Sequence, residues 1–209
     1  MPILGFSKLQ EWDEFNSSLC IEVTRPTGVF TCTGVAVANN LVVTAAHCLD
    51  GEILKVRIFT ESFYDKNNKS LLVKKFKIHP NYQPKNSRYL SDLAKIYLDE
   101  VLPPSIKIHP LFKGQFISGD IYRFGFGARN KKNLRTMITP KFKRMDLENK
   151  IIELNDQFSY SGDSGGPIFL KQDNNTYILA IHSTLSFGPQ GNYSYNPVLD
   201  SYQTWIFEN

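Results

Sequence analysis

Six consecutive residues, Gly162-Asp163-Ser164-Gly165-Gly166-Pro167, set one hydroxyl between glycines. Glycine admits a sharp backbone turn that leaves Ser164 unshielded, and the amides of Gly162 and Ser164 can then point together at an oxyanion developing on a carbonyl. A serine hydroxyl is a weak nucleophile until a base takes its proton. Thr44-Ala45-Ala46-His47-Cys48 supplies an imidazole, His47, behind two small residues that allow close packing. The base in turn needs a carboxylate to hold its tautomer and stabilise the imidazolium. Asp92 fits that role, because it precedes the apolar run Leu93-Ala94-Lys95-Ile96-Tyr97-Leu98 and sits at a strand entrance with its side chain free to turn inward. Taken singly, these are a surface turn, a structural histidine and a turn cap. Taken together, they describe nucleophilic catalysis.

Short alternating or β-branched runs must position these groups, and helical patterns are scarce. Strands are expected at Leu19–Thr24, Val29–Val37, Leu41–Thr44, Ile53–Thr60, Leu71–Ile78, Leu93–Leu98, Asp120–Phe126, Lys150–Leu154, Pro167–Leu170 and Thr176–Ser183. Asn39-Asn40 tolerates left-handed backbone and closes a tight hairpin. The prolines of Leu102-Pro103-Pro104-Ser105 mark a boundary between two halves. One helix is expected at the end of the chain, capped by Asp200, with Leu199, Tyr202 and Ile206 on its apolar face. Cys32 and Cys48, on neighbouring expected strands, suit a disulfide that pins the His47 segment, which leaves Cys20 over.

The 209 residues are 42% hydrophobic and 21% charged, a balance that excludes a disordered chain. The longest uncharged apolar stretch is too short to span a bilayer, so no membrane role is expected. A net charge of +4 does not call for nucleic acid, and Arg129, Lys131, Lys132, Arg135, Lys141, Lys143 and Arg144 read as a solvated loop surface. His79 and His109 both precede proline, with no ligand partner at metal-binding spacing, so neither a metal nor another cofactor is expected. The Met-Pro-Ile-Leu-Gly start lacks the basic and apolar regions of a secretory signal.

The order His47, Asp92, Ser164 resembles the trypsin-like (chymotrypsin-family) serine proteases. Ile3-Leu4-Gly5 is similar to the mature amino terminus of that family, and Ile78-His79-Pro80-Asn81-Tyr82 to the segment before its aspartate. Gly125-Phe126-Gly127 resembles its Gly-Trp-Gly turn, Gly191-Asn192-Tyr193 its Gly-Val-Tyr strand, and Tyr202 to Ile206 its closing helix. The resemblance implies an all-β fold, with two six-stranded antiparallel β-barrels, a C-terminal helix and the triad in the cleft between barrels. It implies one peptidase domain over 1–209, with barrels at about 18–104 and 111–198 and the helix at 199–209. It also implies a secreted or periplasmic monomer acting on protein or peptide substrates, with Gly162 and Ser164 forming the oxyanion hole and Ser183 bonded to Asp92. Asp163 is expected to receive the amine of Ile3 after zymogen processing. Because only Met1 and Pro2 precede Ile3, exposing that amine requires loss of a dipeptide.

The cysteines that staple the S1 walls in the family are missing, and Tyr160 stands where one would be, so Cys32–Cys48 is the bridge that remains. Phe158 occupies the place of the aspartate that a tryptic enzyme uses to bind Lys or Arg. Ile181-His182-Ser183 is similar instead to the glutamyl endopeptidases, which pair a histidine with a hydroxyl on the facing wall. Phe158, Ser159, Ser161, His182 and Ser183 are therefore the expected S1 residues, with acidic P1 specificity expected and an apolar pocket as the alternative. A non-catalytic binding protein on the same fold is the reading from a different class.

Overall fold

The computed structural model describes residues 14–84, 89–114, 118–127, 134–189 and 191–208. Six strands, β1 (Ser18–Arg25), β2 (Gly28–Ala38), β3 (Leu41–Thr44), β4 (Lys55–Phe59), β5 (Leu71–Ile78) and β6 (Ala94–Leu98), close into a barrel in the order β1-β2-β3-β6-β5-β4. Both faces of its central strands are covered, with Leu19, Ile21, Val35, Val42, Val43, Ile58 and Ile96 fully buried, and joining β4 to β1 removes both sheet edges. Asn39 and Asn40 form the expected turn between β2 and β3, but neither takes the left-handed backbone that suggested it.

The second half contains eight short strands. β7 (Asp120–Gly125), β8 (Thr136–Ile138), β11 (Pro167–Gln172) and β12 (Asn175–Ile181) form one sheet in the order β12-β11-β7-β8. β9 (Lys141–Asp146), β10 (Ile151–Asn155), β13 (Thr184–Gly188) and β14 (Gly191–Pro197) form another in the order β13-β14-β10-β9. An Ala180–Val198 bridge ties the two together, so this half is a pair of four-stranded sheets where a six-stranded cylinder was expected. Ile121, Ile152, Leu154, Ile168, Leu170 and Leu179 pack between them.

All ten strands expected from periodicity are present, with ends shifted by a residue or two; β14 holds the Gly191-Asn192-Tyr193 strand expected from resemblance, and β8, β9 and β13 are additional. β9 corrects the reading of the basic segment as loop. Four consecutive residues, Lys141, Phe142, Lys143 and Arg144, are exposed, because an edge strand with no buried face has no alternation to display. The end of the chain is a 3-10 turn, Leu199–Tyr202, running into a short helix, α2 (Gln203–Phe207). Asp200 does not cap it; its carboxylate accepts from the Gly114 amide at 3.4 Å instead. The helix is held by Lys95, a buried side chain of the first barrel whose ammonium donates to the carbonyls of Trp205 and Glu208 at 2.6 Å each.

Candidate active site

His47 lies on a one-turn helix, α1 (Ala46–Leu49), and not on a strand. Ala45 and Ala46 are fully buried beneath it, and a Cys32–Cys48 disulfide fastens the turn to β2. Cys20 is a free thiol buried beside Phe59 and Phe126, and burial pushes its ionisation far upward, which leaves it an apolar filler.

Asp92 is fully buried just before β6. Ser91 takes a left-handed conformation (φ 46°), which turns the following carboxylate inward. One Asp92 oxygen accepts from the His47 backbone amide at 2.9 Å, and the other meets His47 Nδ1 at 2.7 Å and the Ser183 hydroxyl. With Nδ1 donating to the carboxylate oxygen, Nε2 is the acceptor nitrogen of the neutral imidazole. The His47 side chain is 25% exposed, and Tyr89 stacks edge-on at 5.7 Å.

Gly162 (φ 105°) and Gly165 (φ 79°) both need conformations that side chains disfavour. At Gly165 the space is also absent, since a Cβ would stand 2.1 Å from Thr44 Oγ1 and 2.2 Å from the Thr33 carbonyl. The loop is tied across the molecule by Thr33 N donating to Ser164 O at 2.8 Å, and within itself by Gly166 N donating to Asp163 O at 2.9 Å. Ser164 is half-buried at its apex.

Asp163, fully buried, accepts from the Gly127 amide at 2.8 Å and the Tyr160 amide at 3.0 Å, and pairs with Arg123 Nη1 at 3.0 Å. Ile3, its expected partner, lies outside the described residues. Arg123 was not anticipated from the sequence. Its guanidinium is fully buried, bridges Asp163 to Asp156 (Nε to Oδ2, 2.6 Å) and donates to the Phe158 carbonyl at 3.2 Å. The available signal was parity: Arg123 sits two residues from Ile121 on β7, on the face that points inward.

The expected pocket residues diverge. Phe158 and Ser161 are exposed and Ser159 is half-buried, whereas His182 is 2% exposed. Ser183, expected at the pocket as well as at Asp92, spends its hydroxyl on Asp92. His182 Nε2 lies 2.6 Å from Ser159 Oγ and Nδ1 lies 3.2 Å from Asn196 Oδ1. Because Asn196 Nδ2 donates to Ile152 O and Ser194 Oγ, its oxygen must face the imidazole. Nδ1 is therefore the donor, and Nε2 accepts from Ser159. Burial, and after it the Arg123 charge, pushes the His182 pKa down to about 4, so the ring is neutral at pH 7.

A closed six-stranded barrel joined to two further antiparallel sheets, with the serine turn of the second half bonded back to Thr33 on β2, is a chymotrypsin-like architecture. Residues 14–206 match the family described as Trypsin, and the chain belongs to it. It is similar to the CLIP domain-containing serine protease B4 of Anopheles gambiae, 23% identical over 85% of this chain and 61% of that protein. It is also similar to a trypsin of Sarcophaga bullata, 36% identical over 37% of this chain and 30% of that protein. The chain thus spans less than two thirds of either relative. Among solved structures, the scabies mite inactivated protease paralogue S-I1 superposes with a TM-score of 0.74 at 17% identity, over 93% of each chain. That likeness concerns fold, and because the neighbour is described as inactivated it carries no activity over to this chain.

Proposed function

We propose that this chain is a serine endopeptidase. Ser164 attacks the scissile carbonyl while His47 Nε2 takes its proton and later returns it to the leaving amine. Asp92 holds the tautomer, and the Gly162 and Ser164 amides receive the oxyanion. The observation that carries this reading is the Asp92 carboxylate, satisfied at once by the His47 amide, His47 Nδ1 and Ser183. A disulfide beside the base fits an oxidising, secreted or periplasmic setting. The functional unit is a monomer of two halves, 18–104 and 111–198, acting on proteins or peptides. Zymogen control would run through Ile3 and Asp163, tested by comparing the activity of protein beginning at Met1 with protein beginning at Ile3.

For P1 we propose glutamate, bound through Ser159 with His182 behind it. In the free protein Ser159 donates to a neutral ring, so a carboxylate would meet lone pairs. Proton uptake at Nε2 reverses the relay: the ring donates to Ser159, and Ser159 donates to the substrate. The Glu-to-Leu ratio of kcat/KM should therefore rise as pH falls from 8 to 5.5. His182→Val should cut kcat/KM for Glu about 10- to 150-fold, the loss of one bond to a charged group of about 1.5–3 kcal/mol, with less effect on Leu. The satisfied ring and the exposed Phe158 favour a second reading, an apolar P1 site, which a flat pH ratio would support. Covalent labelling of Ser164 by a fluorophosphonate tests catalysis itself; no adduct would leave the fold as a binding module.

A further inference from the structure

Thr33, on β2 of the first barrel, reaches across to the nucleophile loop of the second half. Its side chain is fully buried. The hydroxyl donates to the Gly162 carbonyl at 2.7 Å and accepts from the Phe126 amide at 3.0 Å. One donor and one acceptor are each used once, so the rotor has a single orientation. The Gly162–Asp163 peptide is thereby pinned at both ends, since Asp163 N donates to Tyr160 O at 3.0 Å. That hold fixes the peptide on one side of Gly162, and the Gly162 N–H, on the other side of its Cα at φ 105°, is oriented from it. The Thr33 backbone adds Ser164 O to the same hold, and its carbonyl receives Thr44 Oγ1 at 2.7 Å, three residues before His47. A glycine at this place would keep the backbone bonds and lose the one to Gly162.

We infer that Thr33 is a positioning residue whose hydroxyl aims the Gly162 amide at the oxyanion and sets it in register with the strand leading to His47. This rests on the proposed hydrolytic reading, and it deepens that reading by assigning oxyanion-hole orientation to a side chain from the opposite barrel. Apolar packing could hold the loop's position, but a peptide plane can rotate within a fixed volume. A directional bond stops the rotation.

The test uses Thr33→Val, which keeps the shape and removes the hydroxyl, and Thr33→Ser, which keeps the hydroxyl and removes a methyl. Thr33→Val should lower kcat roughly 10-fold, less than the ~10²–10³ lost when an oxyanion donor is deleted outright. KM should stay within about twofold, because the contact acts on the developing charge. The pH–rate profile should keep its midpoint, because the base is untouched, and Thr33→Ser should stay within about twofold of wild type. Equal losses in both variants, a loss carried by KM, or a shifted midpoint would overturn the assignment in favour of packing or of the base. If wild type neither hydrolyses peptides nor takes a fluorophosphonate, the hydrolytic reading fails on its own account. Amide exchange across 160–166 then decides the tether: faster exchange in Thr33→Val but not Thr33→Ser supports it, and unchanged exchange overturns it. Should Thr33→Val not fold, Thr33→Ala is read by the same measurements.

Discussion

The two halves fill their interiors by different means. The closed barrel lines one face of β1 with Leu19, Ile21 and Val23 and buries its charges one at a time: Asp92 against His47, Lys95 against the closing helix, and Glu22 on the opposite face of β1. There it is paired bidentately with Arg57 at 2.7 and 2.8 Å, and Arg57 remains 24% exposed. The second half instead buries a guanidinium, two carboxylates and an imidazole, Arg123, Asp156, Asp163 and His182, with Asn196 completing the network. The separated charges of the first half each meet their own partners, and a disulfide fastens the turn that carries His47. Amides and pocket walls must be aimed, and aiming requires hydrogen bonds whose burial is costly unless each is matched.

The largest expected effect tests whether the two halves act as one catalytic unit. Ser164→Ala should reduce kcat/KM by at least about 10³-fold with the unfolding midpoint unchanged, and adding His47→Ala should make it hardly worse. Additive losses would mean that the two sides work separately.

Next comes the ionic interior. Arg123→Met leaves the Asp156 carboxylate buried beside a neutral imidazole and the Phe158 amide, and should cost about 3–5 kcal/mol in urea unfolding. Arg57→Met, at a partly exposed cation, should cost less than about 2 kcal/mol. Equal costs would erase the distinction between the halves.

The smallest effect is a pH dependence. With a folded pKa near 4 and an ordinary value of 6.5 when unfolded, His182 binds fewer protons folded than unfolded between those limits. Stability should therefore fall as pH drops from 6.5 towards 4, by on the order of 3 kcal/mol from this group. His182→Gln should flatten that part of the curve, and an unchanged curve would place the pH sensitivity elsewhere.

The three proposed catalytic residues stand out in the sequence because each sits in a local pattern: the glycine run around Ser164, the alanines before His47, the apolar strand after Asp92. The strands with one buried face were legible for a similar reason, since a period of two records burial directly. β9 escaped because its first four residues are all exposed and show no alternation. α1, at four residues, is too short for a helical period to register.

Periodicity and spacing alone pointed to a chain of short strands in two halves and picked out a serine, a histidine and an aspartate as candidates for catalysis. Only the tertiary structure decided what surrounds them. Thr33, Arg123 and Asn196 come from β2, β7 and β14, far apart in sequence, and each looks ordinary in its own strand. Their meaning lies in which donors and acceptors they meet when the strands converge, and a hydrogen bond depends on position and direction in space, which no local pattern of residue types records.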